Sequence, residues 1–345
     1  MTFQVTVQPS GRKFEVARDE AMLPAALRQG LVLPYGCKDG ACGSCKSRLL
    51  EGRVIHGAHQ QKALSAEEEA AGLILTCCGT PQTDCVIEQR QVAAAGQFTA
   101  QKMPARVMSL ARAAPDVAVL RLQLPANVQL QYHAGQYVEF ILKDGARRSY
   151  SMANAPSTQQ QQPGIELHIR HMPGGKFTDH VFGALKERDI LRIEGPFGSF
   201  YLREDSDKPI VLLASGTGFA PIKAIIEHMQ AKGLTRPAVL YWGCRTRADL
   251  YQHEWAEQAA AAMPSLRYVP VLSEPRPEDG WSGRTGLVHL AVMQDLPDLS
   301  GHQVYACGVP IMVESARRDF LARCGLPGEE FYADSFTSEA DKHGE

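Results

Sequence analysis

Neither sign of charge is in excess in this chain. Its 345 residues hold 36 Lys and Arg against 38 Asp and Glu, a net charge of −2. No basic block stands out, so nucleic-acid binding has no electrostatic footprint to rest on. No apolar run approaches the ~20 residues that a membrane helix needs. Met1 to Ser10 alternates polar and apolar residues and lacks the apolar core of a signal peptide. A Ser-His-Asp set, a metal-protease motif and paired carboxylates are also missing, and with them the usual hydrolytic chemistries. No segment recognises a sugar or an aromatic substrate. What remains is an ordinary globular composition, 44% apolar and 21% charged. At about 100–200 residues per domain, two or three domains are expected. The nine cysteines are an odd number, which fits a reduced, cytoplasmic compartment best.

Cysteine is where the sequence is specific. Cys37, Cys42 and Cys45 lie at C-x4-C-x2-C, and Cys77 supplies a fourth thiol. That is the plant-type spacing for one [2Fe-2S] cluster. Gly36, Gly40 and Gly43 let a tight loop fold round a cluster with its amides free to point at sulfur. Zinc ribbons pair two C-x2-C units, and only one is present. The run resembles the plant-type ferredoxins, carriers of single electrons. In that family the fourth ligand follows a Leu-Thr pair, which selects Cys77 over Cys78. Adjacent side chains on an extended segment also point opposite ways, so only one of the two is expected to reach iron.

Residues 1–92 read as this ferredoxin domain. Phe3, Val5 and Val7 alternate as a strand, with a return strand at Phe14 to Val16. Asp19 is expected to cap a helix reaching about Gln29, and Lys46 to Val54 to form another strand. Ser65-x-x-Glu68 is a capping-box pattern. The resemblance implies a β-grasp shape. The domain has ten Lys and Arg and ten Asp and Glu, and so lacks the acidity that steers free ferredoxins to partners. Fusion to its electron donor makes such steering less necessary.

Small residues at 93–102 read as a linker. Residues 103–203 then show short strands separated by turn signals, as in an antiparallel barrel. Arg148-Ser149-Tyr150-Ser151 resembles the R-x-Y-S flavin signature of the ferredoxin–NADP reductase superfamily. Arg148 offers a planar cation for pyrophosphate. Tyr150 offers an aromatic face and a hydroxyl, and Ser151 is a small donor for the flavin N5 edge. His168, Ile169 and Arg170 precede Gly174, Gly175, Lys176 and Thr178, where glycines before a helix let amides meet phosphate. The resemblance assigns this second run to the flavin pyrophosphate, and hence FAD. Gln159 to Gln162 reads as a variable surface loop.

Residues 204–336 alternate apolar strands and helices, the pattern of a doubly wound parallel α/β domain. Pro209 to Ala214 is a buried-strand run. Gly216-Thr217-Gly218-x-Ala220-Pro221 follows it and resembles the superfamily's nucleotide loop. Cys244 and Arg245 end the next strand, and Cys307-Gly308 resembles the cysteine motif beside the nicotinamide. Arg245 and Arg247 have no obvious carboxylate neighbour in sequence and could meet the 2′-phosphate of NADPH. Arg245-x-x-x-Asp249-Leu250-Tyr251, however, looks like the NADH-using oxygenase reductases, and NADH is favoured. Phe336 is the last aromatic residue, and the superfamily tends to set one there against the flavin. A polar tail, 337–345, is expected to be disordered.

The fold class expected is thus a β-grasp ferredoxin, an antiparallel flavin-binding barrel and a nucleotide-binding α/β domain in one chain. The order resembles the reductases of bacterial multicomponent oxygenases and the CDP-6-deoxy-Δ3,4-glucoseen reductases. The Phe331-Tyr332-Ala333-Asp334-Ser335-Phe336 run tips the comparison to the second. Either family implies NADH, FAD and a [2Fe-2S] cluster in series, serving a separate acceptor protein: a deoxysugar dehydratase or an oxygenase component. Tyr150, Ser151 and Cys307 are the residues expected at the hydride step.

Overall fold

The computed structural model describes residues 2–94, 98–160 and 164–337. The described residues form two compact units. One takes those of 1–98, 198–200 and 333–345, the other those of 99–197 and 201–332. Residues 95–97 of the expected linker, 161–162 of the glutamine run and 338–345 of the expected tail lie outside the described residues.

The first unit is built on a five-stranded mixed sheet. Its order is Arg12–Ala17, Thr2–Gln8, Cys85–Glu88, Lys46–Glu51 and Leu73–Leu75. Thr2–Gln8 runs antiparallel to Arg12–Ala17 and parallel to Cys85–Glu88. Its alternation buries Val5 and Val7 on one face. The helix Met22–Arg28 covers that face with Met22, Leu23, Ala25 and Ala26. Asp19 does not cap it, contrary to the sequence reading. Ala21 holds the N-cap without a side-chain bond, and Glu20 reaches Arg28 at 2.7 Å instead. The strand expected over Lys46 to Val54 also breaks in two. Gly52, at φ +97°, turns the chain between Lys46–Glu51 and Val54–His56. The capping box forms as read, with Ser65 Oγ accepting from Glu68 N at 3.2 Å and Glu68 accepting from Ser65 N at 3.0 Å. Ala93–Ala94, read as linker, pairs with Leu31–Val32.

The second unit has two halves. Six antiparallel strands run in the order Arg147–Ser151, Tyr137–Ile141, Ile190–Phe197, Gln101–Ala114, Val117–Gln123 and Ile165–Arg170. A bridge between Met152 and Leu167 joins the two ends of that order and closes the barrel. Inward-facing Leu120, Leu122, Phe140, Leu167, Phe177 and Ile193 fill it. The other half is a sheet that holds, in order, Arg284–Thr285, Leu266–Leu272, Ala238–Cys244, Ile210–Ser215 and Gln303–Gly308. The neighbours from Arg284–Thr285 through Gln303–Gly308 pair in parallel. Ile210 to Ala214 is buried throughout, as a strand covered on both faces must be. Among the described residues no helix is long and apolar enough to cross a membrane.

Candidate functional site

In the first unit the cysteine loop runs from Cys37 to Cys45 with positive φ at Lys38, Gly40 and Gly43. A Cβ on Gly40 would meet Ala58 O and His59 Cβ at 2.9 Å, so the loop closes only with glycine there. Amides point at sulfur. Ala41 N and Cys42 N lie 3.4 and 3.3 Å from Cys37 Sγ, and Cys37 N lies 3.4 Å from Cys42 Sγ. Such donors favour thiolate and raise a cluster's potential.

The thiols pair off. The hydrogen bond from Cys37 brings the Cys42 pKa down to about 6, while the Cys37 thiol is driven up. Cys77 is driven up by hydrogen bonds with Cys45 first and Cys78 second. Thr76 explains the Leu-Thr rule. Its Oγ1 donates to Cys45 O at 3.3 Å and its carbonyl accepts from Leu23 N at 2.8 Å, tying the Cys77 segment to the loop. Residues 76–78 form a turn rather than an extended segment. Cys78 therefore does not point away from Cys77 as strand alternation implied. Cys77 is buried and Cys78 is partly exposed. Among the described residues no three His, Cys, Asp or Glu side chains gather on a single-ion site. Tetrahedral zinc would need four ligands at one point, whereas two thiol pairs suit a cluster with two irons. The residues fit a [2Fe-2S] group.

Within this unit Tyr35 anchors the loop's approach. Its hydroxyl accepts from Gly198 N at 2.8 Å, and its amide donates to Ser199 Oγ at 2.9 Å.

In the second unit Tyr150 lies on the strand Arg147–Ser151. Its ring packs against Phe177 at 5.4 Å and Phe140 at 5.8 Å. Burial raises its phenol pKa, so it stays a donor. Arg148 is half-buried, with Nη1 on the carbonyl of Arg147 at 2.7 Å, and Ser151 is buried. Gly175 is the N-cap of the helix Lys176–Gly183, and Gly174, at φ +82°, has open space around it. The first amides of a helix lack intrahelical partners, which fits a phosphate. Thr178 does not aim its hydroxyl outward: Oγ1 bonds Met172 O at 2.8 Å and closes the loop. Lys176 pairs with Asp144 at 2.6 Å.

His168 and Ile169 are buried, Ile169 in the barrel core. The His168 ring is committed to Glu166 (3.0 Å) and to Tyr251 (2.8 Å), so its side chain has no nitrogen left for a flavin. Arg170 pairs with Asp116 at 3.1 Å, and its guanidinium lies 3.1 Å from where a Cβ on Gly216 would sit.

The loop read as nucleotide-binding is a short turn, Gly216–Gly218, leading into the helix Phe219–Lys232 with Pro221 in its first turn. A Cβ on Gly218 would stand 2.2 Å from Cys307 O, and one on Gly308 would stand 2.1 Å from Ser215 Oγ. The Gly216 loop and the Cys307-Gly308 strand end thus meet through bare backbone. Cys307 is fully buried, so its thiol is not presented at the surface. Burial likewise pushes the Cys244 thiol up to about 12, and its Sγ bonds Asp249 O at 3.3 Å. Arg245 is not without a carboxylate, as the sequence implied. Its Nε lies 3.9 Å from Asp249, which also accepts from Thr246 N at 3.0 Å. Arg247 reaches Asp279 O at 3.3 Å. Phe336 is partly buried and belongs to the first unit. The sequence reading missed Glu166, Lys223 and Trp242, and used Tyr251 only as the end of the run that begins at Arg245. Glu166 and Lys223 match no motif, and only their position on the strand and helix beside motif residues could have flagged them.

Comparison with known families agrees along the chain. Residues 5–82 match the 2Fe-2S iron-sulfur cluster binding domain. Residues 104–201 match the oxidoreductase FAD-binding domain and 212–318 the oxidoreductase NAD-binding domain. The chain is 40% identical over 336 residues to the CDP-6-deoxy-L-threo-D-glycero-4-hexulose-3-dehydrase reductase of Yersinia pseudotuberculosis, covering 97% of this chain and 99% of that one. It is 38% identical over 348 residues to the phenol hydroxylase P5 protein of Acinetobacter pittii, covering 99% and 96%. The crystal structure of an Amycolatopsis cytochrome P450 reductase superposes with a TM-score of 0.75 at 35% identity, covering 98% and 99%. The chain belongs to the family of iron–sulfur flavoprotein reductases, nicotinamide-dependent oxidoreductases that join a [2Fe-2S] domain to FAD- and NAD-binding domains and pass electrons to a separate protein.

Proposed function

We propose that this reductase takes its electrons from NADH and serves a dehydrase acting on a CDP-linked deoxyhexulose. The observation carrying the acceptor assignment is the full-length 40% identity to the Yersinia dehydrase reductase. The donor preference rests on Asp249 beside Arg245, since a carboxylate there opposes a 2′-phosphate. A flavin supplies two-electron chemistry with the nicotinamide, and a [2Fe-2S] cluster supplies one-electron transfer.

This chain's residues hold and orient those groups. Cys37, Cys42, Cys45 and Cys77 ligate iron. Arg148, Tyr150, Ser151 and the Gly174-Gly175-Lys176 turn hold FAD. Gly216, Thr217, Gly218 and Gly308 leave backbone room for the dinucleotide, with Pro221, Cys244, Arg245 and Cys307 around them. Among the described residues none of the nine cysteines forms a disulfide, which supports a cytoplasmic setting.

The second reading, an oxygenase reductase, is favoured by the 38% identity to the phenol hydroxylase protein over 99% of this chain. Turnover separates the two. With NADH present, the proposal expects this protein to sustain a purified CDP-deoxyhexulose dehydrase and not a phenol hydroxylase oxygenase. The opposite pattern would assign it to the oxygenases.

A further inference from the structure

The strand Ile165–Arg170 places Glu166, His168 and Arg170 at i, i+2 and i+4, on one face. That face meets the nucleotide-binding half of the same unit at each of the three. Glu166 Oε1 lies 3.2 Å from Lys223 Nζ, on the helix that begins at the nucleotide loop. His168 Nδ1 lies 2.8 Å from the Tyr251 hydroxyl. Arg170 lies against Gly216 itself.

The protons in this contact are fixed by its chemistry. Burial disfavours the charged form of Glu166, but the His168 hydrogen bond and the Lys223 and Arg121 charges outweigh it and hold the carboxyl down at about 2. An ionised Glu166 only accepts, so His168 Nε2 carries the proton and donates to it. Burial lowers the His168 pKa and keeps the ring neutral. Nδ1 is then a bare acceptor, and the Tyr251 hydroxyl must be the donor.

Tyr251 continues to the loop. Its ring meets Trp242 edge-on at 5.4 Å, and Trp242 Nε1 donates to Gly216 O at 3.0 Å. Phe219, the first residue of the helix after the loop, stacks on Trp242 at 4.0 Å. A continuous set of contacts therefore runs from the flavin-barrel strand to the backbone of Gly216.

We infer that Glu166, His168 and Tyr251 are positioning residues that set the nucleotide loop against the flavin barrel, and so fix the nicotinamide for hydride transfer. This rests on the reading of Gly216–Gly218 as the nucleotide loop. None of the three touches the reacting atoms. Their effect falls on alignment, where a small displacement costs rate steeply.

The test uses the full holoprotein and the variant Tyr251→Phe, which removes one hydroxyl and keeps the aromatic wall. The limiting rate of flavin bleaching by NADH in single turnover falls at least about tenfold. NAD+ affinity by calorimetry stays within about twofold, and flavin and cluster absorbance are unchanged. Histidine ¹⁵N spectra, assigned with His168→Gln, place the His168 proton on Nε2 in the native protein and shift Nδ1 in Tyr251→Phe. A bleaching rate within twofold of native overturns the proposal, as does a proton found on Nδ1. If Tyr251→Phe disturbs the fold, Glu166→Gln is read by the same measurements and to the same two ends. Gly218→Ala checks the underlying reading separately. If it binds NAD+ as tightly as native, the nucleotide loop is misassigned. If it loses NAD+ while Tyr251→Phe keeps its rate, only the relay is wrong.

Discussion

Glu166 and Lys223 stand 3.2 Å apart with the Glu166 residue only 6% exposed, so a carboxylate of the barrel half and an ammonium of the nucleotide half are buried as a pair. Lys223 also bonds Ala153 O at 3.2 Å and pairs with Glu227, while Arg121 reaches Glu166 at 2.7 Å. Each charge in the group has a partner, as a low-dielectric site requires.

This burial predicts a pH signature. The Glu166 pKa drops from 4.5 to about 2 on folding. A depressed carboxyl contributes stability that is complete above the unfolded value and is lost as pH falls through the folded one, here between about 4.5 and 2. On the order of 3 kcal/mol is involved. Glu166→Gln should lower the thermal midpoint at pH 7, and the gap to native should narrow measurably by pH 3. A constant gap across that range would deny the ionised, paired carboxylate.

Gly40 carries a second prediction. A side chain at φ +78° is strained, and its Cβ would lie 2.9 Å from backbone and side-chain atoms of Ala58 and His59. Gly40→Ala should reduce iron and acid-labile sulfide per chain to well under half while flavin content is kept. Full cluster occupancy would mean that the loop has slack the geometry denies.

The fourth thiol is tested by a pair of variants. Cys77 bonds first to Cys45 and is buried, whereas Cys78 is partly exposed. Cys77→Ser should abolish the cluster's visible absorbance and Cys78→Ser should preserve it. Because the two thiols lie within reach of each other, partial recovery in Cys77→Ser would mark Cys78 as a substitute ligand.

Nucleotide choice follows from Asp249. With its carboxylate 3.9 Å from Arg245, kcat/KM for NADH should exceed that for NADPH by about tenfold or more, roughly 1.4 kcal/mol. A preference for NADPH would turn both Arg245 and Arg247 to a 2′-phosphate.

Much of this was legible in the residues. Val5 and Val7 fall on the buried face that alternation predicts, and Ser65 and Glu68 cap their helix reciprocally. The buried run at 210–214 is the strand before the glycine loop. These features are local in the chain, and local rules read them. What stayed hidden depends on which partner each side chain finds in the folded chain. Asp19 fits a helix start by pattern, yet the helix begins at Met22 after Ala21. His168 matches a cofactor motif, but its ring is claimed by Glu166 and by Tyr251, 83 residues away. Arg245 finds its carboxylate only because Asp249 turns back to cap its own short helix.

The central claim is that electrons leave through the cysteine loop after entering at the nucleotide loop. The measurement that tests it most directly is reduction of cytochrome c and of ferricyanide by the full-length protein with NADH, native against Cys42→Ser. The account predicts that Cys42→Ser keeps its flavin absorbance and most of its ferricyanide activity and loses at least about nine-tenths of its cytochrome c activity. Cytochrome c reduction at the native rate would contradict it, because the cluster would then not be the exit.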